Sequence, residues 1–352
     1  MSPRVTVFAL GGTIAMAPAG PGGVVPALSA EQLVDSVPGL ADLDVEIDAV
    51  NFRQLPGASL TFDGLDELAG AIRDRFAAGA DGIVVTQGTD TIEETAYALD
   101  LAHAGPQPVV VTGAMRNPTL AGSDGPANLL AAVQVAASPA GRNLGCLVVL
   151  ADEIHAARRV RKTHATSGAT FQSPNGGSLG YVVEGRPRVL NALAHRTPVP
   201  PRRDTRRPTV ALVTVVLGDD GLLLDGLADR ADAAVIAGFG VGHVPQHLVA
   251  PLEDLAARIP VVLASRTGAG SVLTHTYGFP GSERDLHDRG LVSAGFLDPY
   301  KARVLLHAAL AAGADRAVIA AAFGVAGGYA DPAGWPWPMP GHSREHRRSG
   351  PG

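Results

Sequence analysis

The chain has 352 residues, of which 46% are apolar, 18% charged and 5% aromatic. That is a globular composition, it excludes disorder over most of the length, and the length suits two domains better than one. With a formal net charge of -6, nothing suggests the basic face that nucleic acid or an anionic membrane surface would require.

Met1 to Arg4 runs straight into Val5-Thr6-Val7-Phe8-Ala9-Leu10, too short for the apolar core of a signal peptide, and no apolar stretch reaches bilayer length. A cytoplasmic protein without a membrane segment is the expectation. Strands are expected at residues 5–10, 82–86, 109–112, 146–150, 209–216, 233–237 and 261–264, mostly continuous aliphatic runs of the kind that are covered on both faces. Helical patterns lie between them, the alternation of a mostly parallel sheet. Ser29-Ala30-Glu31-Gln32 and Thr91-Ile92-Glu93-Glu94 both match the capping box, so Ser29 and Thr91 are expected as helix caps. Asp124-Gly125-Pro126 places a proline in the first turn of a third helix. Cys146, the only cysteine, lies in an apolar run, so it reads as a core residue and excludes an intrachain disulfide or a cysteine-based metal site. His155, in Asp152-Glu153-Ile154-His155, reads as a loop or surface histidine.

The stretch 195–208, with four prolines and five arginines, cannot be a buried helix or strand and reads as an interdomain linker. The fold class expected is therefore α/β with two α/β domains. A larger N-terminal domain, 1–194, carries a mostly parallel, doubly wound sheet; a smaller C-terminal α/β domain, 209–326, follows, and 327–352 form an irregular tail. The basic run His342 to Arg348 reads as a solvated end.

In an open parallel sheet, ligands bind at the carboxyl ends of strands. Three polar loops fall there. Gly11-Gly12-Thr13 follows the first strand and presents Thr13 at its tip, and the Gly/Pro/Ala-rich stretch 16–26 behind it reads as a lid. Thr86-Gln87-Gly88-Thr89-Asp90-Thr91 offers a hydroxyl, a carboxylate and free amides at a helix start, which suit a ligand with the charged ends of an amino acid. Arg161-Lys162-Thr163 supplies a lysine able to hold a neighbouring threonine or aspartate in the ionisation state that a nucleophile needs.

Together these stretches resemble the bacterial-type L-asparaginases (the asparaginase/glutaminase family). The resemblance rests on Gly11-Gly12-Thr13-Ile14-Ala15, on Thr86-Gln87-Gly88-Thr89-Asp90-Thr91-Ile92-Glu93-Glu94-Thr95-Ala96 and on Arg161-Lys162-Thr163. Gly113-Ala114-Met115-Arg116, Ser123-Asp124-Gly125-Pro126 and Lys301-Ala302-Arg303-Val304-Leu305-Leu306 add to it. It runs from about Val5 to Phe323. It implies hydrolysis of the side-chain amide of L-asparagine to L-aspartate and ammonia through a threonine nucleophile and an acyl-enzyme, with secondary action on glutamine and without cofactor or metal. Thr13 matches the threonine near the lid, and Thr89, Asp90 and Lys162 match a triad around the second threonine. Ser59 matches a residue for the substrate α-carboxylate, and Asp90 one for its α-ammonium. Glu283 matches a carboxylate that a neighbouring subunit donates to that ammonium, which implies a homodimer or homotetramer. Backbone amides around Gly88-Thr89 and Gly113-Ala114 are candidate oxyanion donors. Two departures stand out: the lid stretch Gly22-Gly23-Val24-Val25 carries no tyrosine, and His243 stands where the family commonly has a partner-subunit asparagine.

Other classes fit less well. Gly238-Phe239-Gly240-Val241-Gly242-His243 fails the dinucleotide fingerprint at its last glycine. H-E-x-x-H is missing from the sequence. A non-catalytic amino-acid sensor of the same fold is the principal alternative, though it would need neither both threonines nor Lys162. An amidotransferase subunit would be expected to add a nucleic-acid-binding region, and this acidic chain offers none.

Overall fold

The computed structural model describes residues 2–18, 24–26, 28–203 and 207–338. Its larger sheet has eight strands, in the spatial order Arg186–Val189, Gly180–Val183, Glu153–Ala156, Cys146–Leu150, Val109–Thr112, Gly82–Thr86, Arg4–Ala9 and Glu46–Asn51. From Cys146–Leu150 to Glu46–Asn51 the strands run parallel, and the other three join antiparallel. Successive side chains of a strand point to opposite faces, so each buried strand feeds two cores. Val84 and Val110 pack with Leu129 and Val133 of the helix Gly125–Ala137 and with Leu33 of the helix Ala30–Asp35. Ile83 and Val85 pack on the opposite face with Leu68 and Ile72 of Phe62–Ala77 and with Leu99 of Ile92–Ala102. The sheet is doubly wound.

A second sheet has four parallel strands, Val210–Thr214, Ala233–Gly238, Val261–Ser265 and Val292–Ser293. The helix Val249–Arg258 covers one face, and Pro299–Ala311 with Arg316–Ala326 covers the other. Ile92–Ala102 belongs to both halves. Its Ala96 and Leu99 face the first sheet, whereas Tyr97 and Leu101 share a core with Val235, Leu305 and Leu306. A helix buried on both sides transmits the position of one sheet to the other, and its N-terminus lies at the candidate site.

Within 195–208 the described residues form no helix or strand, and they are anchored. Val199 N–H donates to Leu101 O at 2.7 Å, Arg203 N–H to Ala311 O at 3.0 Å, and Trp335 Nε1 to Pro198 O at 2.9 Å. Trp335 thus ties the near part of the tail into the core, while 339–352, with the basic run, lie outside the described residues.

Three local expectations change. His155 is not at the surface: it lies within the strand Glu153–Ala156, 1% exposed, with Nδ1 3.0 Å from Ser173 Oγ. Thr91 is not a side-chain cap, because its hydroxyl donates to Gly57 O at 3.0 Å and so fastens another loop. Ser29 does form its full capping box with Gln32. The 16–26 stretch is not loop throughout: Met16–Pro18 and Val24–Pro26 pair antiparallel, and 19–23 lie outside the described residues. Cys146 is buried as expected, and burial pushes its thiol well up. Among the described residues, no helix is long and apolar enough to cross a membrane.

Candidate active site

Three parallel strands of the first sheet, Arg4–Ala9, Gly82–Thr86 and Val109–Thr112, release their loops at one sheet end, and glycines let those loops touch. Gly12 has a φ of 82°, and a Cβ there would lie 2.0 Å from Gly88 N and 2.3 Å from Gly88 Cα. Only a hydrogen fits, so the Thr13 turn rests directly on the Thr89 turn. On its other side, Gly88 meets Gly57, where an added Cβ would come 2.8 Å from Gly88 O. Gly57 begins the turn Gly57–Ser59, so exposed Ser59 stands beside the same loop. Gly113 closes the third side, with space of only 2.6 Å to Gln87 O and 3.3 Å to Thr89 Cγ2 for a Cβ. Ala114, buried, packs with Ile14.

The Gly113-Ala114 wall is held from behind. Asn128 Nδ2 donates to Gly113 O at 2.9 Å, and Ala151 N–H donates to Asn128 Oδ1 at 2.9 Å. Asp124 accepts from Met115 N–H at 3.0 Å and Arg116 N–H at 2.8 Å. In the sequence, Asp124 and its neighbours read as a helix start and as part of the family resemblance, and neither reading gives them a role behind this loop. Polar residues of a first helical turn that bend back onto the preceding loop leave no spacing signature.

Thr89 is buried at the start of the short turn Thr89–Thr91, and Asp90 beside it is open to solvent. Lys162 reaches them from the strand Arg161–Lys162, which pairs antiparallel with Phe171–Gln172. Its Nζ donates to Thr89 Oγ1 at 3.0 Å and to Asp90 Oδ1 at 3.1 Å. The Lys162 side chain is 15% exposed and that of Asp90 65%. An ion pair this open contributes about 0–1 kcal/mol to stability. Its worth is placement: one ammonium spans a hydroxyl and a carboxylate.

Behind Lys162, Glu93 accepts the lysine's own backbone N–H at 3.4 Å. Burial raises the Glu93 carboxyl above its ordinary value, against the opposing pull of the Lys301 and Arg161 charges. The capping pattern around Thr91 gives no hint of this second role for Glu93.

Glu283 does not join this cluster within the chain. It opens the helix Glu283–Asp288 in the second half, fully buried, with Oε1 accepting from Thr276 N–H at 3.0 Å and Tyr277 N–H at 2.9 Å. His243 Nε2 lies 3.1 Å from Oε2. Burial works against the carboxylate, yet the amides of Tyr277, Glu283 and Thr276 with the His243 ring outweigh it and hold the group below its usual value. The His243 ring packs edge-on against Tyr277 and Phe279, both exposed.

The chain matches two family models in succession: Asparaginase, N-terminal, over residues 4–195, and Glutaminase/Asparaginase C-terminal domain, over residues 209–323. A probable L-asparaginase of Deinococcus radiodurans is 37% identical over 320 residues, which cover 89% of this chain and 95% of the relative. A glutaminase-asparaginase of Pseudomonas aeruginosa is 33% identical over 318 residues, covering 87% of this chain and 86% of that one. The crystal structure of a probable cytoplasmic L-asparaginase from Campylobacter jejuni superposes with a TM-score of 0.84 at 32% identity, over 91% of this chain and 99% of that one. The matches span both halves and the loops that carry Thr13, Thr89 and Lys162, and the chain belongs to the asparaginase/glutaminase family of amidohydrolases.

Proposed function

We propose that the protein is an L-asparaginase that hydrolyses the side-chain amide of L-asparagine through a threonine ester, with glutamine as a secondary substrate. The observation that carries this reading is Lys162 Nζ within 3.0 Å of Thr89 Oγ1 and 3.1 Å of Asp90 Oδ1, on a turn against which Gly12 presses the Thr13 loop. A threonine hydroxyl is a weak nucleophile until a neighbour takes its proton. Two hydroxyls and one relay, Lys162 with Asp90, divide the work. One oxygen adds to the amide carbon, its proton passes to the departing nitrogen, and ammonia leaves a β-aspartyl ester. Water, losing its proton along the same route, then hydrolyses that ester to aspartate. Amides of the Gly88-Thr89 and Gly113-Ala114 turns serve as oxyanion donors. Ser59 takes the α-carboxylate and Asp90 the α-ammonium.

Glu283 points to assembly: it serves the site of a neighbouring subunit in a homodimer or homotetramer, with His243 as its immediate contact. The compartment we propose is the cytoplasm, as in the printed name of the Campylobacter relative. The alternative of a non-catalytic amino-acid sensor is disfavoured by Lys162, which a sensor has no use for beside Thr89.

The test is ammonia release from asparagine and from glutamine by the wild type, beside folded Thr13→Ala, Thr89→Val and Lys162→Met proteins. Release by the wild type and its collapse in all three variants is expected, with asparagine turned over faster than glutamine. Tight asparagine binding without release from either amide would establish the sensor.

A further inference from the structure

Lys301 is the only lysine in the chain besides Lys162, and it is wholly buried. It sits in the first turn of the helix Pro299–Ala311, where the helix dipole opposes a positive charge, so helix stability does not account for it. Nor does packing, since a buried ion pair is often matched or bettered by apolar residues of the same volume.

Its contacts give another reason. The ammonium donates to Asp298 Oδ2 at 3.0 Å, to Glu93 Oε2 at 3.5 Å and, by a short bond, to Val160 O. Its three donors are thereby used. Val160 lies two residues before Lys162 on the same segment. Glu93 lies three residues after Asp90 on the helix that follows the Thr89 turn, and its other oxygen holds the Lys162 N–H. Arg161 completes the group: its Nε, an atom without a hydrogen-bond partner, lies 3.9 Å from both Glu93 and Asp298. Two carboxylates and two cations make a neutral cluster. It clamps the strand that carries Lys162 to the helix start that carries Thr89 and Asp90, from a helix of the second half of the chain.

We propose that Lys301 is a positioning residue for the reaction, its ammonium joining Val160, Glu93 and Asp298 so that Lys162 is held at working distance from Thr89 and Asp90. This rests on the catalytic reading of Lys162 and adds to it a dependence of the site on the second half of the same chain. Lys301 touches no reacting atom. Its loss lets the Arg161-Lys162 strand drift against the Thr89 turn, and misplacement of about 1 Å costs on the order of 100-fold in rate.

The test compares kcat, KM for asparagine and thermal midpoint in wild type, Lys301→Met, Lys301→Arg, Glu93→Gln and the double variant Glu93→Gln/Lys301→Met, with Lys162→Met alongside. Lys301→Met is expected to lower kcat roughly 10- to 100-fold with KM within about threefold, since Lys162, the group that moves, binds neither charged end of the substrate. It also leaves buried carboxylates short of a partner, so its midpoint falls. In the double variant one of those charges is gone and the midpoint recovers, while kcat stays low because the Val160 anchor is still missing. Should Lys301→Met fail to fold, Lys301→Arg carries the test: it keeps the charge but not the compact three-way fit, and folded protein with reduced kcat is expected. Wild-type kcat in folded Lys301→Met or Lys301→Arg would overturn the proposal, as would a double variant whose kcat returns together with its midpoint. Wild-type turnover by Lys162→Met would bring down the catalytic reading beneath it, whereas an inactive Lys162→Met beside a fully active Lys301→Met refutes the positioning role alone.

Discussion

Replacing Gly12 with alanine adds one methyl group at the point where the Thr13 and Thr89 loops meet. Two costs follow. A φ of 82° is left-handed, and a Cβ there costs about 1–2 kcal/mol. The methyl carbon would also stand 2.0 Å from Gly88 N, so backbone rather than a pliant side chain must yield, which costs roughly 1–3 kcal/mol more. Gly226 separates the two costs: its φ of 60° is also left-handed, but a Cβ there meets nothing within 4 Å. Gly226→Ala should therefore lose about 1–2 kcal/mol and keep full activity, and Gly12→Ala about 2–5 kcal/mol. Stability of about 5–15 kcal/mol leaves the latter folded in most of that range. Because the two loops must part to admit the methyl, ammonia release should fall at least 100-fold. Thermal unfolding and ammonia release on the same preparations decide the matter. A Gly12→Ala protein as stable and as active as Gly226→Ala would refute the claim that this contact sets the site.

Lys162→Met should shift stability by no more than about 1 kcal/mol, because the Asp90 partner is largely solvated, while turnover falls about 100- to 10,000-fold; a large loss of stability would assign the lysine to the scaffold instead. Asn128→Ala removes the buried donor to Gly113 O and the acceptor for Ala151 N–H, so about 1–3 kcal/mol of stability should go and kcat should fall with the loosened wall. Burial holds both His155 and His307 at about 4, below the ordinary 6.5. Between those values the unfolded chain takes up protons that the folded one refuses. Stability is therefore highest above about 6.5 and falls as the pH drops towards 4, by about 2 kcal/mol per histidine between pH 7 and 5. Thermal midpoints across that range should show the slope, and His307→Asn should flatten it; a flat wild-type profile would contradict the burial argument.

Much of the fold could be read without coordinates because its central strands are unbroken aliphatic runs. Residues 82–86, 109–112 and 146–150 match the observed strands at both ends. The strands passed over in the larger sheet lack a continuous aliphatic run: Glu153–Ala156 lies inside the sheet but carries Glu153 and His155, and the others lie at or next to the sheet's two ends. Glu46–Asn51 has charged and amide residues at its exposed positions and no continuous apolar run. Gly180–Val183 and Arg186–Val189 form a hairpin on a two-residue Glu184-Gly185 turn, both at positive φ, but Glu-Gly is a weaker turn signal than Asn-Gly or Asp-Gly. The site divides in the same way. Thr89 and Asp90 share a compact motif, and a strand end indicates where to look for Thr13. Lys162, by contrast, lies not in the loop after Cys146–Leu150 but beyond the antiparallel strand Glu153–Ala156, in the short strand Arg161–Lys162. The supports of these residues come from far along the chain: Lys301 meets Glu93 across 208 positions, and buried polar clusters of that kind leave no periodicity in the sequence. Thr91 fitted a capping pattern, yet the Gly57 carbonyl, on the loop that follows Glu46–Asn51 two strands away, captured its hydroxyl.

The most direct test of threonine catalysis is partition of the intermediate between water and hydroxylamine. Wild-type protein is given L-asparagine, then the β-methyl ester of L-aspartate, at one fixed hydroxylamine concentration, and the ratio of β-hydroxamate to aspartate is measured for each. If both substrates pass through one threonine ester, the leaving group has gone before the nucleophiles compete, and the two ratios are equal. Ratios that differ between amide and ester would mean that water attacks the bound substrate directly, and neither Thr13 nor Thr89 would then be the nucleophile.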